Sequence, residues 1–377
     1  MSRFRTQRLP MVALIGTLAA GPALSQSSWE QFKDTLSRNA GIDFEFTYAP
    51  VIQASPDRDW ESTANHELDF IGSWTPANGS GVLQWWALNI LDYSSLSTSA
   101  FSNTLGIISD PNDGDLGGDR SFSGLALLWW QQELAGGVRL NFGKLGLAEL
   151  VGKNRYAHDG RSDFFNTVVT GDVVAGYNVQ DSGLGVFAEL RRPEWYVSGF
   201  VADGSAEDNW IDFDSPGDGV WQYAAELGLT PEIAGLGPGN YRFTVSGIDA
   251  IETGNGTRQN GWGYGVSADQ DIGANHAVFA RFSRSASQMT EYLQALAAGY
   301  VYKAPFGRVD DRIGLAAWQV ESEDASLRRE KGLEAYWSVQ VSDTTSITPD
   351  LQIILDPAKD RSRSSVTVLG LRLRVVF

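Results

Sequence analysis

The chain has 377 residues, 46 acidic and 29 basic, with no Cys but 41 Gly, 13 Trp, 12 Tyr and 18 Phe. The absence of thiols excludes disulfides, iron–sulfur clusters, thiolate zinc sites and a Cys nucleophile. A formal net charge of −17 argues against nucleic acid, whose phosphates need cationic partners.

Arg3, Arg5 and Arg8 precede an apolar stretch, Met11 to Ala20, which Gly21-Pro22 and the small-residue site Ala23-Leu24-Ser25 terminate. This order predicts a secretory signal peptide over residues 1–25. The stretch is about half the length of a membrane-spanning helix. The expected mature chain starts near Gln26; with the three signal arginines gone, 26 bases face 46 acids, a net charge of −20. No later segment approaches 18 uninterrupted apolar residues, so a membrane-spanning form has to cross with strands.

Ser28-Trp29-Glu30-Gln31 has the order of a capping box, and Trp29, Phe32 and Leu36 recur at helical spacing up to Gly41, predicting a short amphipathic periplasmic helix over 26–40. The period then changes to two. Ile42, Phe44, Phe46 and Tyr48 alternate with Asp43, Glu45 and Thr47, which makes a strand with one apolar and one polar face. The pattern returns in about sixteen blocks. Tyr241, Phe243 and Val245 oppose Arg242, Thr244 and Ser246, and Leu333 to Val341 alternate with Glu334 to Gln340. In the last block Leu369, Leu371, Leu373, Val375 and Phe377 oppose Arg372 and Arg374.

A soluble β-sandwich shows the same alternation. Two features favour a closed transmembrane antiparallel barrel over residues 41–377. Long charged side chains occupy the polar face of many blocks, which a water-filled lumen accommodates. The chain also ends within a strand at the aromatic Phe377, the residue expected to engage the barrel-assembly machinery. Long acidic connections, Pro56 to Glu61, Ser109 to Asp119, Asp203 to Gly219 and Glu321 to Ala325, suit the extracellular side, and short ones such as Leu236 to Asn240 the periplasmic side.

Chemical motifs are sparse. His66, His158 and His276 are far apart and carry no local signature, and Gly-x-Ser-x-Gly and HExxH are absent. Asp110-Pro111-Asn112-Asp113-Gly114-Asp115 has part of the oxygen spacing of a calcium loop, but it lacks the closing Glu and carries Pro111. It reads as a solvated acidic loop, and no metal or cofactor is expected. Trp74, Trp86, Trp130, Trp262 and Trp337 share register with apolar neighbours and fit an interfacial girdle, whereas Trp85 and Trp129 have the opposite parity and are expected in the lumen. Strand parity adds Gln131, Glu133, Arg139, Asn141, Arg242, Arg281, Glu334, Arg372 and Arg374 as lumen candidates.

Several strands carry more specific words. Leu125 to Lys144 (LALLWWQQELAGGVRLNFGK), Gly239-Asn240-Tyr241-Arg242, Ala268-Asp269-Gln270 and Phe279-Ala280-Arg281-Phe282 resemble the OprB family of carbohydrate-selective porins. So do Phe306-Gly307-Arg308 with Asp310-Asp311 and Gly314, then Ile347 to Gln352, Asp356-Pro357 and Leu369 to Arg372 ahead of Phe377. The resemblance spans about residues 41 to 377. It implies a sixteen-stranded barrel in the Gram-negative outer membrane, narrowed by inward loops and passing glucose-like sugars by diffusion. It also implies that the chain works as a trimer or a monomer. Leu127 and Gln131 depart from it, standing where the family often has acids. On this reading the lumen residues are sugar-binding candidates, with the indoles stacking on pyranose faces. A general or anion-preferring porin, a barrel-embedded hydrolase and a blocked adhesin barrel are the alternatives. Outer-membrane lipid is the expected surround.

Overall fold

A computed structural model describes residues 26–112, 121–171, 182–206, 209–250, 252–253, 256–257, 260–285 and 292–377. The expected signal peptide and residues 113–115 of the calcium-like stretch lie outside them. Helix α1 (Gln26–Ala40) comes first and ends at Gly41, whose φ of +68° turns the chain into the sheet.

Sixteen strands follow: β1 (Ile42–Ser55), β2 (Glu61–Trp74), β3 (Val82–Asp92), β4 (Ser121–Leu134), β5 (Val138–Gly146), β6 (Ser182–Arg191), β7 (Trp195–Asp203), β8 (Trp221–Leu229), β9 (Gly237–Ile248), β10 (Gly261–Ile272), β11 (His276–Ser285), β12 (Tyr292–Lys303), β13 (Arg312–Ser322), β14 (Glu330–Ser342), β15 (Thr345–Leu355) and β16 (Ser365–Val376). A two-residue strand, Glu232–Ile233, extends the sheet beside β9. Each long strand pairs antiparallel with its chain neighbours, and β1 also pairs with β16, so the sheet closes on itself. With 9 to 14 residues, these strands are long enough to cross a hydrocarbon layer at a tilt.

The longest connections share one end of the barrel. Turns such as 135–137, 192–194, 273–275 and 343–344 close one end, while the described parts of three long connections, 93–112, 147–171 and 209–220, belong to the other. Two of the long connections carry the remaining helices, α2 (Thr98–Leu105) and α3 (Thr167–Thr170). No helix among the described residues is long and apolar enough to cross a membrane.

The period-two pattern sorts the side chains in the inverse of a soluble protein. Outward-facing Leu68, Phe142, Val186, Val197, Leu227, Phe243, Leu315, Leu333, Leu351 and Leu369 are exposed, whereas Asn65, Glu67, Asp69, Asn141, Glu189, Glu226, Asp269, Glu334, Gln352 and Arg372 are buried inside. An apolar belt of this extent is stable only against lipid.

Phe377 lies at the seam where the first and last strands meet. Its N–H donates to the Phe46 carbonyl at 2.9 Å, and its own carbonyl accepts from the Phe46 N–H at 3.4 Å. Deleting Phe377 is expected to lower the yield of folded barrel while leaving what does fold closed. The ratio of heat-modifiable to unfolded bands on a denaturing gel measures this, and an unchanged ratio would remove Phe377 from the assembly step.

Candidate functional site

The inner wall is charged, and much of that charge is bonded to the backbone of two connections that fold inward. Arg281 of β11, only 6% exposed, donates to the carbonyls of Ala157 (2.6 Å), Thr170 (2.6 Å) and Gly152 (3.1 Å). Arg372 of β16 donates to the carbonyls of Asp163 (2.7 Å) and Gly160, with its guanidinium 4.2 Å from the centre of the Phe165 ring. Glu334 of β14 accepts from the N–H groups of Phe165 and Asn166, and Glu226 of β8 from that of Gly152. Glu330 binds the other loop, accepting from the N–H groups of Ile108 (3.1 Å) and Ser109 (3.0 Å) and from the Ser109 hydroxyl (2.6 Å). Buried ions need this degree of satisfaction, and irregular backbone at membrane depth needs polar partners from the wall.

Between these contacts the loops are apolar. Phe101, Leu105, Ile107, Phe164, Val168 and Val169 pack on inward Val301, Trp318, Val320, Tyr336, Ile354, Val366 and Val368. This packing fills the lumen along β11 to β16. On the other side a cavity of about 640 Å³ stays open, lined by β1 to β5 and by Glu149, Leu150, Lys153 and Arg161 of the 147–181 connection.

The wall of that cavity is organised around Arg161. Its guanidinium meets Asp159 at 2.7 Å, Glu67 at 3.0 Å and Asp69 at 3.3 Å, and lies 4.5 Å from the centre of the Trp86 ring. The Trp86 indole N–H donates to Asp69 at 2.6 Å, so ring and cation are fixed by the same carboxylate. Across the opening Lys153 meets Glu149 at 2.5 Å, with His158 3.6 Å from the same carboxylate. Arg139 lies 3.4 Å from Glu189. Burial disfavours the ionised form of Asp159, yet the Arg161 charge and hydrogen bonds hold its carboxyl well below the usual range. Burial likewise opposes ionisation of Glu149, and His158 and Lys153 outweigh it. Asp163 behaves oppositely: burial, then the adjacent Asp159 charge, push its carboxyl up to about 6.

Comparison with known proteins agrees with this geometry. The sequence model described as "Carbohydrate-selective porin, OprB family" matches residues 116–377, well over half of the chain. The chain belongs to the OprB family of carbohydrate-selective porins. Among solved structures, the high-pH form of Pseudomonas putida OprB superposes with a TM-score of 0.77 at 18% identity, covering 93% of this chain and 97% of that one. The low-pH form gives 0.58 at 16% identity, over 94% and 98%. Vibrio cholerae OmpT, solved as a trimer, gives 0.52 at 12% identity, over 89% and 99%. No curated protein sequence matches. The family and the fold are those of an outer-membrane sugar-selective diffusion channel.

The lumen candidates of this porin divide into three groups. Trp129, Gln131, Arg139 and Asn141 line the open cavity, and Glu133 joins them by accepting from Gln131 at 3.3 Å. Trp129 is only 5% exposed and its indole donates to Gln84 at 2.8 Å, so it offers an edge rather than a free face. Arg281, Glu334 and Arg372 are buried against the loops as described above. Arg242 is paired with Asp269 at 3.0 Å and Tyr196 at 3.2 Å, and Arg374 sits 4.0 Å from Glu45 near the short-turn end.

Trp85 is a correction. Register pairs Gly72 with Trp85 and Ile71 with Trp86, which places Trp85 outside with Phe70 (ring centres 5.8 Å apart) and Trp86 inside beneath Arg161. The two Trp-Trp pairs look equivalent in sequence, but Trp86 lies opposite Leu127 and Trp129 opposite Gln84, so the inward member is the second of one pair and the first of the other. A bulge in β4 after Leu125 shifts parity further along that strand. Both faces of β3 are largely apolar, so the alternation could not arbitrate.

Arg161, Lys153, Glu149, Glu67 and Asp69 were not among the candidates. The available signal was Phe164-Phe165 and Val168-Val169, apolar pairs that a solvated loop has no use for. The three histidines are dispersed: His66 bonds Tyr93 and Asn89 on the outer wall, His158 faces Glu149, and His276 bonds Tyr300. Among the described residues no group of three or more His and carboxylate side chains is arranged to hold a metal ion.

Two expectations follow from the inward loop. Arg281→Ala strips four loop carbonyls, those of Gly152, Ala157, Val169 and Thr170, of a charged donor, a loss on the order of 3 kcal/mol. Single-channel recordings should show larger, noisier conductance from a barrel whose gel mobility is unchanged; an unaltered conductance would separate Arg281 from the constriction. For Asp163 the raised folded value means that the native loop binds the proton more tightly than the unfolded chain. Its stabilising contribution is therefore complete below the unfolded value of about 4 and disappears as pH rises through about 6. Hydrogen exchange across 147–171 should be slower at pH 5 than at pH 7.5 relative to intrinsic rates, and Asp163→Asn should abolish the difference.

Proposed function

We propose that this porin passes monosaccharides such as glucose down their gradient across the outer membrane of a Gram-negative bacterium, with the cavity beside β1 to β5 as the selective passage. The observation that carries this reading is that the cations at the opening are already matched. Arg161 has three carboxylates, Lys153 has Glu149, and Arg139 has Glu189. Such a rim offers many hydrogen-bonding groups and, with five carboxylates on these three cations, leaves none of the three free to hold an anion, which favours polyhydroxylated neutral solutes over anions. Lys153, Arg139 and Glu149 keep roughly a third of their side-chain surface open to exchange hydration for hydroxyl contacts. Trp86 adds an apolar surface on the same wall.

Liposome swelling tests the reading. Glucose should cross faster than an amino acid of similar size, and a trisaccharide should be excluded; equal rates would make this a general porin. Arg139→Gln should reduce the glucose preference by roughly fivefold, the equivalent of about 1 kcal/mol for one hydrogen bond. The same rates in wild type and variant would remove Arg139 from the passage.

A further inference from the structure

Helix α1 stands apart from the permeation path, and its position on the wall is specific. Trp29 packs edge-on against Phe44 with ring centres 5.8 Å apart, and Phe32 lies 6.4 Å from the same ring. Phe44 is on the outer face, since the intervening Glu45 shares the parity of the buried, inward Thr47, Ala49 and Val51 and faces Arg374. The aromatic contacts continue outward-facing across the sheet, from Phe46 stacked on Phe70 at 4.7 Å to Phe70 against Trp85. The helix therefore lies against the outside of the barrel and not in its mouth.

Its height is fixed as well. The Trp74 indole N–H donates to the Ala40 carbonyl at 3.1 Å, and the Thr75 N–H donates to Gly41 at 2.8 Å. A Cβ at Gly41 would stand 2.1 Å from the Thr75 carbonyl oxygen, so the pivot admits only glycine. Trp74 belongs to a set of partly exposed outward indoles beside the short turns, with Trp195 and Trp337. Indoles so placed mark the boundary between hydrocarbon and headgroups.

We propose that α1 is an in-plane anchor whose partner is the phospholipid surface of the leaflet meeting the short-turn end of the barrel. Around the helix Trp29 faces the wall, half-buried Leu36 follows two turns later on the same side, and Phe32, 48% exposed, lies beside Trp29 where the wall meets lipid. Glu30, Asp34 and Arg38 are exposed on the remaining faces, and Lys33 pairs with Glu30 at 3.1 Å. Low overall hydrophobicity with one aromatic edge is the pattern of a helix that lies in the interface rather than crossing it. The exposed Phe32 edge is continuous with the lipid belt of the barrel, which identifies lipid as its cover.

The Cys-free chain allows a direct test. Single-cysteine variants Phe32→Cys and Asp34→Cys are spin-labelled in the full barrel and reconstituted in phosphatidylethanolamine/phosphatidylglycerol vesicles. Leu333→Cys on the outer wall and Asp343→Cys in a short turn serve as lipid and water references. The oxygen-to-nickel-chelate accessibility ratio at 32 should approach that at 333, and at 34 should be lower by roughly fivefold. A water-like ratio at both helix positions overturns the proposal, as does dipolar broadening at 32, which would place a second copy there. Wild-type barrel in vesicles of a photoactivatable phospholipid provides a readout free of substitutions: crosslinks in the peptide spanning 28–38 support the anchor, and crosslinks confined to wall peptides reject it.

Discussion

Backbone in hydrocarbon has no water to bond to, and the pairing of β1 with β16 is what satisfies that constraint here. Closure leaves no free edge, and it divides space into two solvents. Every strand then has one face for lipid and one for water, and the alternation of side chains follows from that division alone. The exposed leucines and buried acids are two views of the same sheet.

The interior that closure creates is too wide to be filled by wall side chains. Two long connections occupy much of it, and irregular backbone there requires polar partners that the wall supplies as buried charge. Arg281 and Arg372 collect loop carbonyls, while Glu226, Glu330 and Glu334 collect loop N–H groups. An inner wall of neutral polar residues could hydrate a channel, but its weaker bonds would hold these loops less firmly. The charge seen on the polar face of the strands is thus chiefly an attachment system.

Because the loops lean on β11 to β16, the open cavity lies towards β1 to β5. Its rim combines a cation held by three carboxylates, an indole under that cation and two further ion pairs. The pairing matches each of these cations with carboxylate and leaves hydrogen-bonding groups at the cavity. The rigidity of the rim and the matching of its three cations therefore share one origin, the pairing of each base with carboxylate.

Strand existence, lipid-facing and water-facing parity in most blocks, the helix ending at Gly41 and the family were legible in the sequence, because each depends on neighbours within a few residues or on short words in order. Trp129, Gln131, Arg139 and Asn141 were found by that local rule and do meet at the cavity. Trp85 was misplaced because parity on a strand apolar on both faces is decided by register against β2 and β4, a relation between distant segments. Arg161 and Lys153 escaped because a loop has no period from which to read a direction. Which inward charges line the open cavity and which hold backbone was decided only by the tertiary structure, since Arg139 and Arg281 are alike in sequence pattern and differ only in what the folded loops bring against them.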